Sequence, residues 1–378
     1  MAKKKKEDKP GKMSMDDIRH VINKSAGGEV AYDLSSTNPT NVTQWIPTGS
    51  RWLDSIICNG NLAGIPVGKL SEIAGLESTG KSFLAAQVAA NAQKMGIDVV
   101  YFDSESAISS DFMKKAGIDL NKLLYLQASS VEFVLETIEQ LLTMDNQWLF
   151  IWDSLALTPS MKDIEGDYNP QSTIAVKPRI LAKGFAKLIQ PLANNQATLL
   201  ILNQLKTNIT ANVAEAMTTP YMTPGGKAAI YAYSLRIWLT KRKAKSSFVI
   251  NDNGYRVGTE VKAKIEKSRF GTQGRICNFK ILWGDKVGVQ DEESWLDAVK
   301  GSEHITSGGA WYTMTHADGT GEKFQASGWL DKLKDPKFRK RVLDIMDDHL
   351  ILNFQQQIQS AASYYEEEEA VEEETVES

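Results

Sequence analysis

The feature that most constrains this chain is an eight-residue segment, Gly75–Ser82, with the sequence Gly-Leu-Glu-Ser-Thr-Gly-Lys-Ser. A strand-like run from Lys69 enters it, and a run of strong helix formers, Phe83 to Ala90, follows it. Strand, glycine loop and helix are the setting in which the pattern G-x-x-x-x-G-K-[ST] binds phosphates. The glycines let backbone N–H groups close around phosphate oxygens, and the positive end of the helix dipole faces them. The alternative, a chance Gly-Lys-Ser turn, explains neither flank.

This segment predicts a site for a nucleoside triphosphate with Mg²⁺. Lys81 is expected to reach the β- and γ-phosphates, and Ser82 to bind the metal ion. Asp153 closes an apolar strand later in the chain, which is typical of a second metal-binding carboxylate. An aspartate at the end of a strand is common by itself, so the metal-binding interpretation of Asp153 depends on the presence of the phosphate loop. The other loop residues expected to hold the nucleotide are Gly75, Glu77, Ser78, Thr79 and Gly80.

Bulk properties narrow the class of protein. At 378 residues the chain has room for about two domains, and 42% hydrophobic and 24% charged residues are ordinary for a globular protein. No apolar run approaches the roughly 20 residues that span a bilayer. The basic start has no apolar stretch behind it, which argues against a secretory signal. Cys58 and Cys277 are the two cysteines and form no C-x-x-C pattern, which argues against disulfides or zinc and favours a reducing cytoplasm.

The net charge of −4 is unevenly distributed. Residues 1–12 carry a net charge of +4 and residues 366–378 a net charge of −8, so the body between them is neutral. An acidic tail of this kind can compete with a polyanion for a basic surface, and it can equally be a solvated disordered end.

The middle of the chain alternates apolar strands with helical patterns. Continuously apolar strands indicate a parallel sheet covered on both faces, with polar residues for chemistry at the carboxyl ends of its strands. Glu105 follows one such strand and could accept a proton from an attacking water, or it could be a surface residue that begins a loop. Gln204 follows another and could sense the γ-phosphate, or simply begin a loop. The predicted strands are 98–103, 148–153 and 198–203, and the predicted helices are 131–142 and 179–192.

Both ends of the chain follow other patterns. Residues 233–283 show strands without helices, which predicts antiparallel strands that extend the sheet, with a hairpin turn at Asn253-Gly254. A short helix from Met15 to Lys24 has one apolar face and needs a partner. A smaller helical and strand region follows Gly284 and ends in a helix near 336–358. Its expected core residues are Trp295, Trp311, Tyr312 and Trp329.

Two long segments, 164–176 and 205–224, show no periodicity. Such segments inside a compact domain are usually functional or disordered. Apolar residues of the second could touch bases, while nearby amides and cations meet phosphates, as in single-stranded nucleic-acid binding. The alternative is a mobile lid over the nucleotide. The cations expected to meet phosphates are Arg179, Lys206 and Lys227.

An ordered set of motifs resembles the RecA family of recombinases, including its phage UvsX-type members, over roughly residues 30–350. The phosphate loop alone is shared by many unrelated ATPases, whereas the ordered set is specific. Glu266-Lys267-Ser268-Arg269 is similar to the UvsX form. The matching stretches are Gly75–Ser82, Phe102–Glu105, Asp153–Pro159, Ile164–Gly166, Asn203-Gln204, Gly225-Gly226 and Gly309–Tyr312.

The resemblance implies a role for each matching residue. Lys81, Ser82 and Asp153 would bind Mg-ATP, Glu105 would activate water, and Gln204 would couple the γ-phosphate to the second segment. The residues implied to hold the adenine are Phe112 and Trp283, and those implied to reach the ATP of an adjacent subunit are Lys267 and Arg269. The residues implied to contact DNA are Arg179, Lys206, Ile209, Gly225, Gly226 and Lys227, with Ile209 wedged between base triplets.

Some positions depart from the family pattern. The usual lysine after Gly-Gly is Ile230 here, the second segment lacks the phenylalanine of bacterial RecA, and the tail is more acidic. These departures favour a phage-type recombinase over a host RecA.

The resemblance implies an α/β fold: a RecA-like phosphate-loop ATPase core with a mostly parallel twisted sheet, an N-terminal polymerisation arm and a small α+β C-terminal domain. The expected divisions are 1–36 (basic tail and arm), 37–284 (core), 285–360 (C-terminal domain) and 361–378 (acidic tail). We expect a cytoplasmic DNA-dependent ATPase, in a bacterial host if phage-encoded. It would form helical filaments on single-stranded DNA and exchange strands with homologous duplex DNA. Further expected partners are single-strand-binding and mediator proteins, and no membrane is expected. The alternatives are a ring-forming helicase on the same core and a non-catalytic scaffold.

Overall fold

The structure is a computed structural model that describes residues 13–36, 38–57, 60–166, 175–208, 220–241, 247–283 and 287–352. The basic tail, the acidic tail and Ile209 therefore lie outside the described residues. The chain forms two compact units, one up to Thr43 and one from Gln44 onward. Across the described ranges, no helix combines the length and the apolar character that a membrane span requires.

The described elements are as follows. The helices are α1 (Met15–Ala26), α2 (Arg51–Ile57), α3 (Lys81–Lys94), α4 (Ser110–Lys115), α5 (Val131–Leu141), α6 (Met161–Glu165), α7 (Val176–Asn194), α8 (Gly226–Ala232), α9 (Asp291–Val299), α10 (Trp329–Lys332) and α11 (Pro336–Leu350). The strands are β1 (Trp45–Ile46), β2 (Ile65–Pro66), β3 (Leu70–Gly75), β4 (Asp98–Asp103), β5 (Leu123–Gln127), β6 (Trp148–Asp153), β7 (Thr198–Gln204), β8 (Lys206–Thr207), β9 (Tyr221–Met222), β10 (Leu235–Thr240), β11 (Phe248–Ile250), β12 (Arg256–Ser268), β13 (Ile276–Leu282), β14 (Gly288–Gln290), β15 (Ile305–Gly308), β16 (Trp311–Thr315) and β17 (Gly321–Gln325).

The first unit is built around α1, which confirms the predicted helix. Ser14 caps its N-terminus in a reciprocal capping box with Asp17, and Gly27 ends it in the left-handed conformation. Among the described residues, the apolar side chains of α1 stay partly open, since Ile18 is 37% and Val21 53% exposed. Within the described part of the chain, this helix therefore presents an uncovered apolar stripe.

The second unit is organised around one mixed sheet with the strand order β14-β13-β12-β10-β3-β7-β6-β4-β5, and β11 pairs with β12. The strands from β10 to β5 in this order are parallel, whereas β12, β13 and β14 are antiparallel additions. This arrangement confirms both the parallel core and its antiparallel extension. Apolar residues of α3 pack on one face, and those of α5 and α7 pack on the other. The continuous apolar character of the central strands follows from this double burial.

The end of the chain adds a small antiparallel sheet, β15-β16-β17, with α9, α10 and α11. Its aromatic core differs from the predicted one in one residue. Trp295 and Trp329 are buried, but Trp311 is 50% exposed, so the prediction that Trp311 is a core residue was wrong. Phe324 and Phe338 take the central place instead, with ring centroids 5.4 Å apart.

The remaining differences are local. The strand β5 was not predicted, because it lies at the edge of the sheet and exposes Leu124 and Tyr125, so it lacks a buried pattern. The segment 205–224 is not wholly irregular: β8 and β9 pair antiparallel where it leaves and rejoins the core. The hairpin at Asn253-Gly254 is confirmed, since β11 pairs antiparallel with β12 and Gly254 adopts a positive φ of 80°.

Candidate functional site

The phosphate loop connects β3 to α3, as the sequence predicts. A Cβ on Gly75 would come within 2.5 Å of Thr79 Oγ1, so this position requires glycine. The loop turns through left-handed conformations at Ser78 (φ 55°) and Gly80 (φ 80°). The Thr79 hydroxyl braces the turn by donating to the Leu76 carbonyl at 2.8 Å. Gly80 caps α3 without a side chain, so the first amides of this helix face the loop, where an anion would bind.

Two lysines contact the backbone of this loop. Lys81 Nζ donates to the carbonyls of Gly75 at 3.2 Å and Leu76 at 3.1 Å. Burial lowers the pKa of Lys81, and the carboxylates of Asp153 and Glu105 oppose that shift. Lys241, a residue that the sequence analysis did not single out, donates to the Glu77 carbonyl at 2.7 Å. The loop is thus held by ammonium groups on its carbonyl side, which leaves its amides for phosphate.

The predicted metal residues meet directly. The Ser82 hydroxyl donates to Asp153 Oδ2 at 2.8 Å, and the Tyr101 hydroxyl donates to the same oxygen at 2.7 Å. Asp153 is 6% exposed, and burial raises its pKa above the ordinary value, although the two hydroxyl donors counter this. Asp103, its neighbour in register on β4, and Glu105 both push the pKa further upward. A buried carboxylate among like charges is a setting that a bound cation would stabilise.

These residues fit a divalent cation that is also held by phosphate and water oxygens, such as Mg²⁺. The described part of the chain contains no group of three or more histidine, cysteine, aspartate or glutamate residues able to hold a metal ion. Ser82 and Asp153 would therefore supply one oxygen each. Mg²⁺ prefers this arrangement, since it keeps several waters and takes the rest of its ligands from phosphate oxygens.

Glu105 is positioned by the ends of two neighbouring strands. The Ser154 hydroxyl donates to Glu105 Oε1 at 2.8 Å. The Ser154 amide donates to Ser104 Oγ at 2.8 Å, and the Ser104 amide donates to the Asp153 carbonyl at 2.7 Å. Glu105 lies two residues beyond the end of β4 and is exposed, so a water molecule can approach it.

Gln204 lies beside the phosphate loop. In the parallel pairing of β3 and β7 it is the register partner of Gly75, and the Leu205 amide donates to the Gly75 carbonyl at 3.1 Å. The structure thus brings together, at one edge of the sheet, the residues at the carboxyl ends of β3, β7, β6 and β4. These residues are Gly75, Lys81, Ser82, Glu105, Asp153 and Gln204.

The two aromatic residues proposed for the base flank the loop. Phe112 packs edge-on against Phe83, the second residue after Lys81, with ring centroids 4.8 Å apart. Trp283 follows Ile281, whose side chain lies against Gly80, and Trp283 is 38% exposed. The Arg256 guanidinium lies 5.1 Å from the Trp283 ring centroid, a cation–π contact that the sequence did not indicate.

Lys267 and Arg269 do not reach the phosphate loop of their own chain. Lys267 donates to the Ile230 carbonyl at 2.8 Å, and Arg269 to the Tyr231 carbonyl at 3.0 Å, near the C-terminus of α8. Lys267 is the register partner of Arg236, which pairs with a β3 residue three positions before Gly75. The backbone of Lys267 is therefore roughly 10 Å from Gly75 along the strand direction, the rise of three residues, and roughly 10 Å across the sheet, two strand spacings.

The residues expected to contact DNA lie near the ends of the two long segments, 164–176 and 205–224. Arg179 is exposed in the first turn of α7, Lys206 is exposed in β8, and Lys227 is exposed in α8. Gly225 and Gly226 begin α8 with φ of 111° and 80°, a conformation that favours glycine.

Fold and site together define a phosphate-loop nucleotide-binding protein with a mixed α/β sheet. Comparison with known proteins then identifies its family. Residues 13–288 match the RecA N-terminal domain family. The chain is 30% identical over 308 residues to Protein RecA of Fusobacterium nucleatum, which covers 81% of this chain and 77% of that protein. It is 31% identical over 270 residues to Protein RecA of Leifsonia xyli, covering 71% of each chain.

The chain therefore belongs to the RecA family of recombinases. Membership implies a site for ATP, and the phosphate loop fits it. A solved structure, the "Crystal structure of the RadB recombinase", aligns over 65% of this chain with 20% identity and a TM-score of 0.46, too distant to add to the assignment.

Proposed function

We propose that this protein is an ATP-dependent recombinase that forms helical filaments on single-stranded DNA and exchanges that strand into homologous duplex DNA. The observation that carries the proposal is that Gln204 lies between the phosphate loop and the second long segment. It lies in register with Gly75 of the phosphate loop, and the second long segment leaves the core at the next residue. A change in the nucleotide therefore has a direct route to a segment proposed to bind DNA.

Within the site, each residue has a proposed task. Bound Mg-ATP would supply the phosphoanhydride bond that is cleaved. The loop amides and Lys81 hold the phosphates, while Ser82 and Asp153 hold the cation. Glu105, oriented by the Ser154 hydroxyl, accepts a proton from the attacking water. Phe112 and Trp283 would hold the base.

The site is proposed to be completed by a second copy of the chain. Lys267 and Arg269 donate to the carbonyls of α8 in their own chain and not to their own phosphate loop. Cations supplied in trans stabilise charge in the transition state of phosphoryl transfer and would make hydrolysis depend on assembly. The uncovered stripe of α1 is consistent with an arm that binds a neighbouring copy.

Finer parts of the proposal rest on the resemblance to the family. We propose a cytoplasmic location and partners among single-strand-binding and mediator proteins. The proposed divisions of the chain are 1–36, 37–284, 285–360 and 361–378. The phage-type character rests on Glu266–Arg269 and on the departures from the family pattern, among them Ile230. It stays a prediction, since both relatives named above are bacterial.

A mixing experiment tests the shared site. Lys81→Ala removes the phosphate-loop lysine but keeps the cations, whereas Lys267→Met removes one cation but keeps the loop. Each variant alone should hydrolyse ATP poorly with single-stranded DNA. A one-to-one mixture should recover about one quarter of the wild-type rate, since half the subunits carry an intact loop and half of their neighbours an intact cation in a head-to-tail assembly.

The outcomes against the proposal are also defined. Full activity of Lys267→Met alone, or no recovery in the mixture, would contradict the shared site. Electron microscopy with single-stranded DNA and a slowly hydrolysed ATP analogue should show open helices, whereas closed rings would favour a helicase. The absence of both helices and rings would favour a non-catalytic scaffold.

A further inference from the structure

A buried ion pair lies beside the described ends of the second long segment, outside the nucleotide site. Glu72 is 1% exposed on β3 and Arg236 is 5% exposed on β10, and they are register partners in the parallel pairing of these strands. Arg236 Nε donates to Glu72 Oε2 at 2.6 Å. The guanidinium also lies 5.8 Å from the Tyr233 ring centroid and 5.6 Å from that of Trp238, so aromatic rings flank it. Charges at this depth persist in a fold only when their hydrogen-bonding groups are satisfied.

The second oxygen of the same carboxylate binds the strand on the other side. Asn203 Nδ2 on β7 donates to Glu72 Oε1 at 2.9 Å, and Asn203 is fully buried. Three neighbouring strands, β10, β3 and β7, are therefore joined by one carboxylate. Glu72 lies three residues before Gly75, where the phosphate loop begins.

Both partners of Glu72 also hold the segment 205–224. Arg236 Nη2 donates to Thr223 Oγ1 at 2.9 Å, and Asn203 Nδ2 donates to the Pro224 carbonyl at 3.0 Å, so the returning end of the segment is bound twice. At the departing end, the Gln204 amide donates to Asn203 Oδ1 at 2.9 Å. A single side chain on the strand of the phosphate loop thus connects to both ends of the segment.

We propose that Glu72 is a positioning residue that couples the nucleotide site to the second DNA segment through Arg236 and Asn203. The inference deepens the proposed function and rests on it. A shift of β3 or of Gln204 when ATP binds moves the Glu72 carboxylate or Asn203, and with them the Arg236 and Asn203 donors that hold Thr223 and Pro224. The reverse follows from thermodynamic linkage. Hydrogen bonds can transmit such a shift because their strength depends on distance and direction, unlike that of an apolar contact.

The test separates coupling from folding. Removing one charge alone would leave its partner buried and uncompensated, whereas replacing both by apolar side chains of similar volume is often neutral or stabilising. The double variant Glu72→Met with Arg236→Met therefore keeps the sheet packed, since methionine adapts to irregular space. It removes the contact to Thr223 and frees Asn203 from the carboxylate.

The measurement is the affinity for a fluorescently labelled single-stranded oligonucleotide, with a slowly hydrolysed ATP analogue and with ADP. The ratio of the two affinities reports the coupling. Wild-type protein should bind more tightly with the ATP analogue. The ratio for the double variant should fall toward one, the value for uncoupled sites, because the route through Glu72 is lost while that through Gln204 remains. Nucleotide affinity and the thermal unfolding midpoint should stay close to wild type.

Two further variants complete the design. Thr223→Val removes only the hydroxyl that Arg236 binds and should reduce the ratio about tenfold, as expected for a hydrogen bond to a charged group. The control variant Arg51→Met with Asp347→Met removes another ion pair of the second unit, at 2.7 Å between α2 and α11, and should leave the ratio unchanged.

Each result decides something. If wild-type protein shows no difference between the ATP analogue and ADP, the proposed function itself fails. If wild type shows the difference and the double variant shows it undiminished, the role of Glu72 is overturned. If the double variant does not fold, an unchanged ratio in Thr223→Val overturns the inference and a reduced ratio supports it.

Discussion

Tyr101 offers the sharpest single-atom perturbation of the metal site. Its hydroxyl donates to Asp153 Oδ2 at 2.7 Å, and its ring is fully buried between neighbouring strands and α3. Tyr101→Phe removes the hydroxyl and keeps the ring. Asp153 then has Ser82 as its remaining hydroxyl donor in the described contacts, and the same Ser82 oxygen is expected to bind the cation.

The size of the effect follows from this geometry. A hydrogen bond to an ionised carboxylate contributes about 1.5–3 kcal/mol, which corresponds to roughly 10- to 150-fold in an equilibrium constant. Loss of a partner that orients a metal ligand typically weakens metal affinity by about 10- to 100-fold. We therefore expect the Mg²⁺ concentration that half-saturates nucleotide binding to rise about 10- to 100-fold in Tyr101→Phe.

The chain supplies a matched control. Tyr125 is the register partner of Tyr101 on β5, and its hydroxyl donates to Asp103 Oδ2 at 3.0 Å. Tyr125→Phe makes the same chemical change one strand away, on a carboxylate not proposed to bind the metal. The assay is binding of a fluorescent ATP analogue across a Mg²⁺ titration, which needs no turnover. Equal Mg²⁺ midpoints for both variants and wild type would refute the argument, provided that thermal unfolding shows both variants folded.

Two further predictions concern Glu105 and Asp54. Glu105→Gln should keep ATP-dependent binding to single-stranded DNA and lower the hydrolysis rate by about 10²- to 10⁴-fold; single-turnover hydrolysis at a normal rate would remove Glu105 from its role. Burial raises the pKa of Asp54 in α2 to about 8, although its hydrogen bonds from Thr48 oppose the shift. The folded state therefore holds a proton that the unfolded state releases. The contribution of protonated Asp54 to the free energy of unfolding is fully present below the unfolded pKa of 3.8. It is lost as the pH rises toward 8, by on the order of 5 kcal/mol. Asp54→Asn should remove this dependence, and denaturation curves of variant and wild type that stay parallel from pH 5 to 8 would contradict it.

Much of the fold was accessible from the sequence, because burial on both faces leaves a strand with a continuous apolar run. The strands that end in Asp103, Asp153 and Gln204 have such runs and were predicted. The edge strand β5 has one open side and lacks that signal. The helix α8 is capped by Gly225 and begins with Gly226, and it was missed because glycine is unfavourable in a helix.

The candidate site divides along the same line. Lys81, Ser82, Glu105 and Asp153 follow from the loop motif and from strand ends, because the carboxyl ends of parallel strands share one edge of the sheet. The residues that orient them are different. Tyr101 on β4 contacts Asp153 on the adjacent strand β6, so this contact depends on the two strands being neighbours. Strand order is a property of the folded sheet, and no local pattern specifies it.

The buried pair shows that the sequence held one more signal. Glu72 and Arg236 are each the one charged residue of a mostly apolar strand, and they have opposite signs. Since an isolated buried charge is strongly destabilising, each strand requires a partner of opposite charge. That requirement would have predicted β3 and β10 as neighbours, across 164 residues of intervening sequence. It would not have predicted Thr223 and Pro224 as further partners, because those contacts depend on where the second segment rejoins the core. The coupling proposed for Glu72 is therefore visible only in the folded chain, although the charge that makes it possible is visible in the sequence.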